Sequence, residues 1–492
     1  GKFDIVSKRN YFNENTDLDP GPDNDGNYTH GYAFRINSTN QFRMVWRDPD
    51  DTKNQIMETA ETIPENEWHH IAATHDFSEN MTILYIDGIH VYDSDDFFAA
   101  KGEAHNQMNV PSDAHFMIGA AQHLKRQQKL GGTVDEVRVW DVALTANQLR
   151  YIMNQEIEEN GSLNADGKIL PSATTLNDID DIPWNNLIAY YPMSTAVFGS
   201  IKDESNSRND ASMINYDLLD EQTAPLPYKS TQNGDWDTST TWENGDVQYL
   251  PGQVSYLYAS EADADKETMD YNIVQIDHNV TLDNTDSSII PAYKNDNRTV
   301  LGLVVNSGAD LQLDGDNATA AGNALTVSHY LKIDGTLDLE GESQLIQTTD
   351  SDFDATSSGT LEKDQQGTAD LYTYNYWSAP VGVSNGTTNN NSYTLPDILN
   401  DGSNAAFPDT ITWLTSGYNG VNGDPISLAD YWIWKYNNLP SDNYPSWQHI
   451  RSTGSLQPGE GFTMKGATDT GGVITTEQNY VFNGKPYNGD IT

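Results

Sequence analysis

The chain is written in short runs in which apolar and polar residues alternate. "GYAFRIN", "QFRMVWRD", "MTILYIDG", "HFMIGAA" and "VDEVRVWD" fall within the first 142 residues, and "LQLDG" and "LKIDG" come later. A period of two sends successive side chains to opposite faces of an extended strand, and Asp-Gly supplies the residues of a tight turn. Such a chain is all-β, made of antiparallel sandwiches, jelly rolls or stacked strands. One segment breaks the period. "TANQLRYIMNQEI" sets Leu149, Ile152 and Met153 on one helical face behind Thr145 as N-cap, a short closing helix.

Length and charge narrow the function classes. At 492 residues there is room for roughly three domains of ~150 residues. Lys and Arg total 26 against 73 Asp and Glu, a net charge of -47, so a phosphate backbone is repelled and nucleic acid is excluded as a partner. The surplus of hard oxygen ligands favours calcium as a bound ion. With 26 Tyr, 13 Phe and 11 Trp the composition is that of a folding chain, not an acidic tail. Absence of cysteine removes disulfides, thiolate zinc sites and thiol catalysis together. No run of eighteen apolar residues is present to span a membrane as a helix.

"IVSKRN", "GYAFRIN", "ENEWHHIAATHD", "TILYIDG", "MIGAA" and "GTVDEVRVWDVALTANQLRYIM", in this order, resemble the later strands of a laminin-G-like, concanavalin-A-like jelly roll of bacterial surface proteins. The resemblance covers residues 1–157 and implies that the domain's first strands precede residue 1, the numbered chain being part of a longer polypeptide. Residues 158–228 read as a linker and a strand segment packing on the jelly roll. In 229–360 the endings "LQLDG" and "LKIDG", at Gly315 and Gly335, are twenty residues apart, the pattern of β-solenoid rungs of about that length. Residues 361–492 form a C-terminal β-sandwich-like domain, in which "YWSAPVG", "LQPGEGF" and "VFNGKPYNGDI" resemble secreted Bacteroidota proteins, often cargo of the type IX system.

Several clusters are candidates for chemistry. In "NEWHHIAATHD", His69, His70, His75 and Asp76 have spacings of one and five, which fit no helical ligand pair. The stretch reads as a strand with Trp68, His70 and Ala72 inward and His69 and Ile71 outward, and in the family it resembles Trp-His-His is a core strand. "TDLDPGPDNDGNY" crowds Asp17, Asp19, Asp23 and Asp25 into one loop and is the candidate calcium site, although Tyr28 stands where an EF-hand needs glutamate. The calcium triad of pentraxin-like relatives is missing, since Ala121, Gln122 and His123 occupy its place. The Glu-x-Asp-x-x-Glu run of jelly-roll glucanases is absent too, as are nucleophile elbows and phosphate loops. Trp236 and Trp242 are expected to cap a core, and Tyr431, Trp432 and Trp434 in "DYWIWKY" could stack on sugars, although the alternation puts one face in a core.

The expectation is a non-catalytic secreted or cell-surface binding and adhesion protein, extracellular or on the outer surface. It would recognise a glycan, a surface polymer or another surface protein through the jelly roll. The alternatives are an accessory region of a larger secreted carbohydrate-active enzyme and a structural stalk or filament component.

Overall fold

In "MTILYIDG" the strand Met81–Ile86 ends at Asp87 and Gly88, both left-handed (φ 51° and 76°), and the chain returns as Ile89–Asp93. Two left-handed residues between paired strands are the turn that Asp-Gly favours. The computed structural model describes residues 3–11, 28–47, 55–102, 110, 112–120, 130–171, 179–194, 196–214, 224, 226–258, 268–283, 297–316, 321–383, 390–436, 446–468, 477–489 and 491. They fall into two units, one from Gly1–Ser172, Ile179–Leu226 and Val247–Tyr249, the other from Ala173–Asp178, Pro227–Asp246 and Leu250–Thr492. No helix among the described residues is long and apolar enough to cross a membrane.

The first unit is jelly-roll-like. Gln55–Thr62, Gln41–Arg47, Tyr28–Ile36, Phe3–Tyr11 and Met117–Ile118 form an antiparallel sheet in that order, and Ile71–Asp76, Met81–Ile86 and Ile89–Asp93 form a second. The five-stranded sheet turns Phe42, Met44, Trp46 and Met57, all at most 3% exposed, to its apolar side. The helix Ala146–Met153 has the expected Thr145 cap, reinforced by Gln148 in a capping box, and buries Leu149, Ile152 and Met153.

In the second unit the chain alternates between two parallel ladders. One holds Tyr228–Lys229, Ile273–Ile276, Arg298–Val305, Ala324–Ile333 and Gln344–Gln347; the other holds Gly234–Asp235, Asn279–Leu282, Asp310–Leu313, Thr336–Leu339 and Thr360–Thr368. Val280, Leu311, Leu337 and Leu361 share one register position, so successive turns of the chain take 31, 26 and 24 residues. The twenty-residue interval between Gly315 and Gly335 is therefore not the repeat, because Gly315 follows a strand of the second ladder and Gly335 one of the first. Close stacking needs glycine at the second of these turns: a Cβ on Gly335 would run into the carbonyls of Ala309 and Asn306, and one on Gly359 into that of Gly335.

Beyond the ladders, Glu477–Pro486 pairs antiparallel with Thr360–Thr368, from Leu361 opposite Gly484 to Thr368 opposite Glu477. A separate antiparallel sheet runs Tyr374–Ser378, Gly461–Lys465, Trp434–Tyr436, Trp447–His449.

Candidate functional site

The histidine stretch is structural, although not as the alternation predicts. The strand begins only at Ile71, so residues 68–70 lie outside it and His69 does not point outward; its side chain is 4% exposed. Asp87 holds both neighbours, one carboxylate oxygen 2.8 Å from His69 Nδ1 and the other accepting the His70 backbone N–H at 2.8 Å. Burial, with Arg138 nearby, pushes the His70 imidazole down to about 4. His75 Nδ1 sits 2.9 Å from the Thr82 hydroxyl. Among the described residues no group of three or more His, Asp or Glu is placed to hold a metal ion. Asp17, Asp19, Asp23 and Asp25 lie outside the described residues.

On the five-stranded sheet, the side opposite Phe42, Met44 and Trp46 carries a row of charges crossing four strands. Asp4 faces Arg35, Arg35 faces Arg43, and Arg43 faces Glu58. Arg35 Nε is 2.5 Å from Asp4 Oδ1 and Arg9 Nη2 is 3.6 Å from Asp4 Oδ2, all three residues at most 2% exposed. Arg43 pairs with Glu58, which also accepts from Asn37 Nδ2 at 2.7 Å, and this end of the row is more open (16% and 30% exposed). The two carboxylates sit three strand spacings apart, about 14 Å. Glycoside hydrolysis needs its carboxyl pair within about 9.5 Å. The open end of the row, Arg43 and Glu58, suits hydrogen bonding to a polar ligand, and the row's two carboxylates are too far apart to act as a hydrolytic pair.

Glu136, left-handed at φ 53°, turns its carboxylate to the Arg138 guanidinium and to Tyr190 Oη at 3.1 Å. Burial outweighs the attraction of Arg138 and pushes Glu136 up to about 7. Arg138 also donates to the carbonyls of Ile152 (2.7 Å) and Gln155 (2.8 Å), tying the strand Val137–Trp140 to the closing helix. This group is a tie within the domain core.

In the second unit, Trp236 and Trp242 are core residues as expected, with ring centroids 5.1 Å apart and indole N–H groups donating to the carbonyls of Pro251 and Trp236. "DYWIWKY" departs from expectation: Asp430–Trp432 is a 3-10 turn and the strand starts at Trp434, so alternation covers only its second half. Of this segment Asp430 and Ile433 are buried, while Tyr431, Trp432 and Trp434 are half-buried beside further rings from distant segments.

Residues 8–150 match the family model of the Concanavalin A-like lectin/glucanases superfamily, under a third of the chain. No curated protein matches. Two solved structures align: a protein of Bacteroides ovatus ATCC 8483 named for carbohydrate binding (16% identity, 44% of this chain and 55% of that one, TM-score 0.25), and an S-layer domain-containing protein of Clostridium thermocellum ATCC 27405 (17%, 24% and 54%, TM-score 0.14). This chain spans about half the length of either.

Proposed function

We propose that the chain is a non-catalytic glycan-binding protein of the cell exterior and that its jelly-roll-like unit engages the sugar. The observation that carries this reading is the open end of the row, Arg43 and Glu58, on the sheet side opposite Phe42, Met44 and Trp46 and within the residues 8–150 that match a lectin and glucanase superfamily. The planar Arg43 guanidinium, held by Glu58, presents donors in fixed directions, which suits sugar hydroxyls better than a flexible lysine would. The carboxylate separation favours lectin chemistry over hydrolysis. Secretion and adhesion fit a composition rich in Asn, Asp, Thr, Ser and Gly and poor in Lys.

The test is a polysaccharide panel examined both for binding and for release of reducing ends. Binding without turnover is expected, weakened about tenfold by Arg43→Ala, a loss of one good polar anchor. Shortened sugars released by the purified chain would sink the reading.

A further inference from the structure

The antiparallel sheet formed by Tyr374–Ser378, Gly461–Lys465, Trp434–Tyr436 and Trp447–His449 buries Phe462 and Met464 on one side. Its other side is aromatic. Register places Tyr374 and Tyr376 on one flank of the Gly461–Lys465 strand and Trp434, Tyr436 and Trp447 on the other. That central strand presents Gly461 and Thr463 between them and Lys465 at its end, so the flanking rings lean in and meet above Thr463, which is buried.

Ring centroids follow one another from Tyr374 to Tyr376 (6.1 Å), to Trp447 (6.3 Å) and to Tyr436 (5.3 Å). The strip stays open, with Tyr376 67%, Trp447 37% and Tyr436 37% exposed. At its end the Lys465 ammonium lies 3.8 Å from the Trp432 ring centre and 4.5 Å from that of Tyr374.

We propose that this aromatic face is a second binding site, separate from the charged row of the jelly-roll-like unit, and that its ligand is an uncharged polysaccharide whose sugar rings lie on Tyr376 and Trp447. The flat side of a pyranose ring is a sheet of C–H groups with slight positive charge, complementary to the negative face of an aromatic ring. Tyrosine hydroxyls and the Lys465 ammonium supply hydrogen-bond partners for sugar hydroxyls at the rim. Charge selects among polymers. The outward positions of these four strands carry no carboxylate, in a chain with 73 Asp and Glu, and their one lysine is already set over two rings. An acidic polymer would be repelled by the net charge of -47, and a cationic one would go to the carboxylates elsewhere; the near-neutral face matches a neutral chain.

Affinity electrophoresis of the full chain tests this, with hydroxyethylcellulose, a mixed-linkage β-glucan, a xylan and a mannan as neutral probes and alginate and polygalacturonate as acidic ones. At least one neutral polymer should retard the chain and quench its tryptophan fluorescence. Trp447→Ala and Tyr376→Ala should each weaken retardation about tenfold without lowering the melting temperature; Tyr376, the more exposed, decides if the tryptophan variant fails to fold. Unchanged retardation of both variants, retardation by acidic polymers alone or by no neutral polymer, or a dimer that Trp447→Ala splits would overturn the proposal. Arg43→Ala separates the two sites: if it abolishes binding while the aromatic variants bind normally, the jelly-roll reading stands and the aromatic site falls.

Discussion

Arg138 shows how one residue can organise a domain core. It is 7% exposed, pairs with Glu136 and donates to two carbonyls of the segment that closes the unit. Replacing it by methionine keeps the stem and deletes the charge, leaving a buried carboxylate and two carbonyls without their donor. Arg138→Met should cost about 3–5 kcal/mol, the range for breaking a buried pair from one side; urea unfolding of the full chain, read on the transition of the first unit, would show it, and a loss below about 1 kcal/mol would mean the pair is idle. What was legible in sequence at this scale was whatever is local: the Asp87-Gly88 turn, the Thr145 cap and the core tryptophans each depend on neighbours within a few residues. The charged row was not. Asp4 and Glu58 are brought into one line by three strand pairings, and nothing in the spacing of Asp4, Arg35, Arg43 and Glu58 announces it.

Parallel stacking has an electrostatic consequence for the second ladder. Equivalent outward positions of successive strands sit about 4.8 Å apart, and there Asp338 stands beside Glu362, with Asp310, Glu340 and Asp364 close by. Burial first, then the carboxylates of Glu340 and Glu362, push Asp338 up to about 8 from 3.8; burial and a hydrogen bond with Asp364 push Glu340 up to about 7. A carboxyl whose pKa is raised by folding binds protons more tightly in the native state, so its contribution is fully present below the unfolded value and is lost as pH rises toward 8. The second unit should therefore melt at a higher temperature at pH 5 than at pH 8, and Asp338→Asn should remove part of that difference by raising the melting point at pH 8. Calorimetry at both pH values would decide, and an Asn variant less stable at pH 8 would refute the account. Sequence disclosed the strands of this ladder but not their repeat, because turn signals mark where a strand ends and not which ladder it joins. The aromatic face was half legible: the aromatic-rich strands can be read from their sequence, whereas Tyr374 and Tyr376 come from a segment far back along the chain and join Trp434, Tyr436 and Trp447 only through strand pairing.

Across the whole molecule the net charge of -47 sets up self-repulsion that cations would offset. We propose calcium as the specific one, held by Asp17, Asp19, Asp23 and Asp25; at a hundredfold excess over Kd it would add about 2.7 kcal/mol. Plain screening predicts equal stabilisation by sodium at matched ionic strength. Melting in millimolar calcium, in matched sodium and in chelator separates the two: calcium alone should raise the melting temperature, and Asp23→Asn with Asp25→Asn should abolish the rise, whereas identical curves in calcium and sodium would dismiss the site. A different kind of self-protection lies in the way the second ladder finishes. Its first strand, Gly234–Asp235, is two residues long, and its last, Thr360–Thr368, has its far side taken from Leu361 to Thr368 by Glu477–Pro486 running the opposite way. Stacked parallel strands with an open border are a template on which like chains polymerise. Here one border of the second ladder is too short to seed such growth and the other is already occupied, which disfavours fibril growth from that ladder.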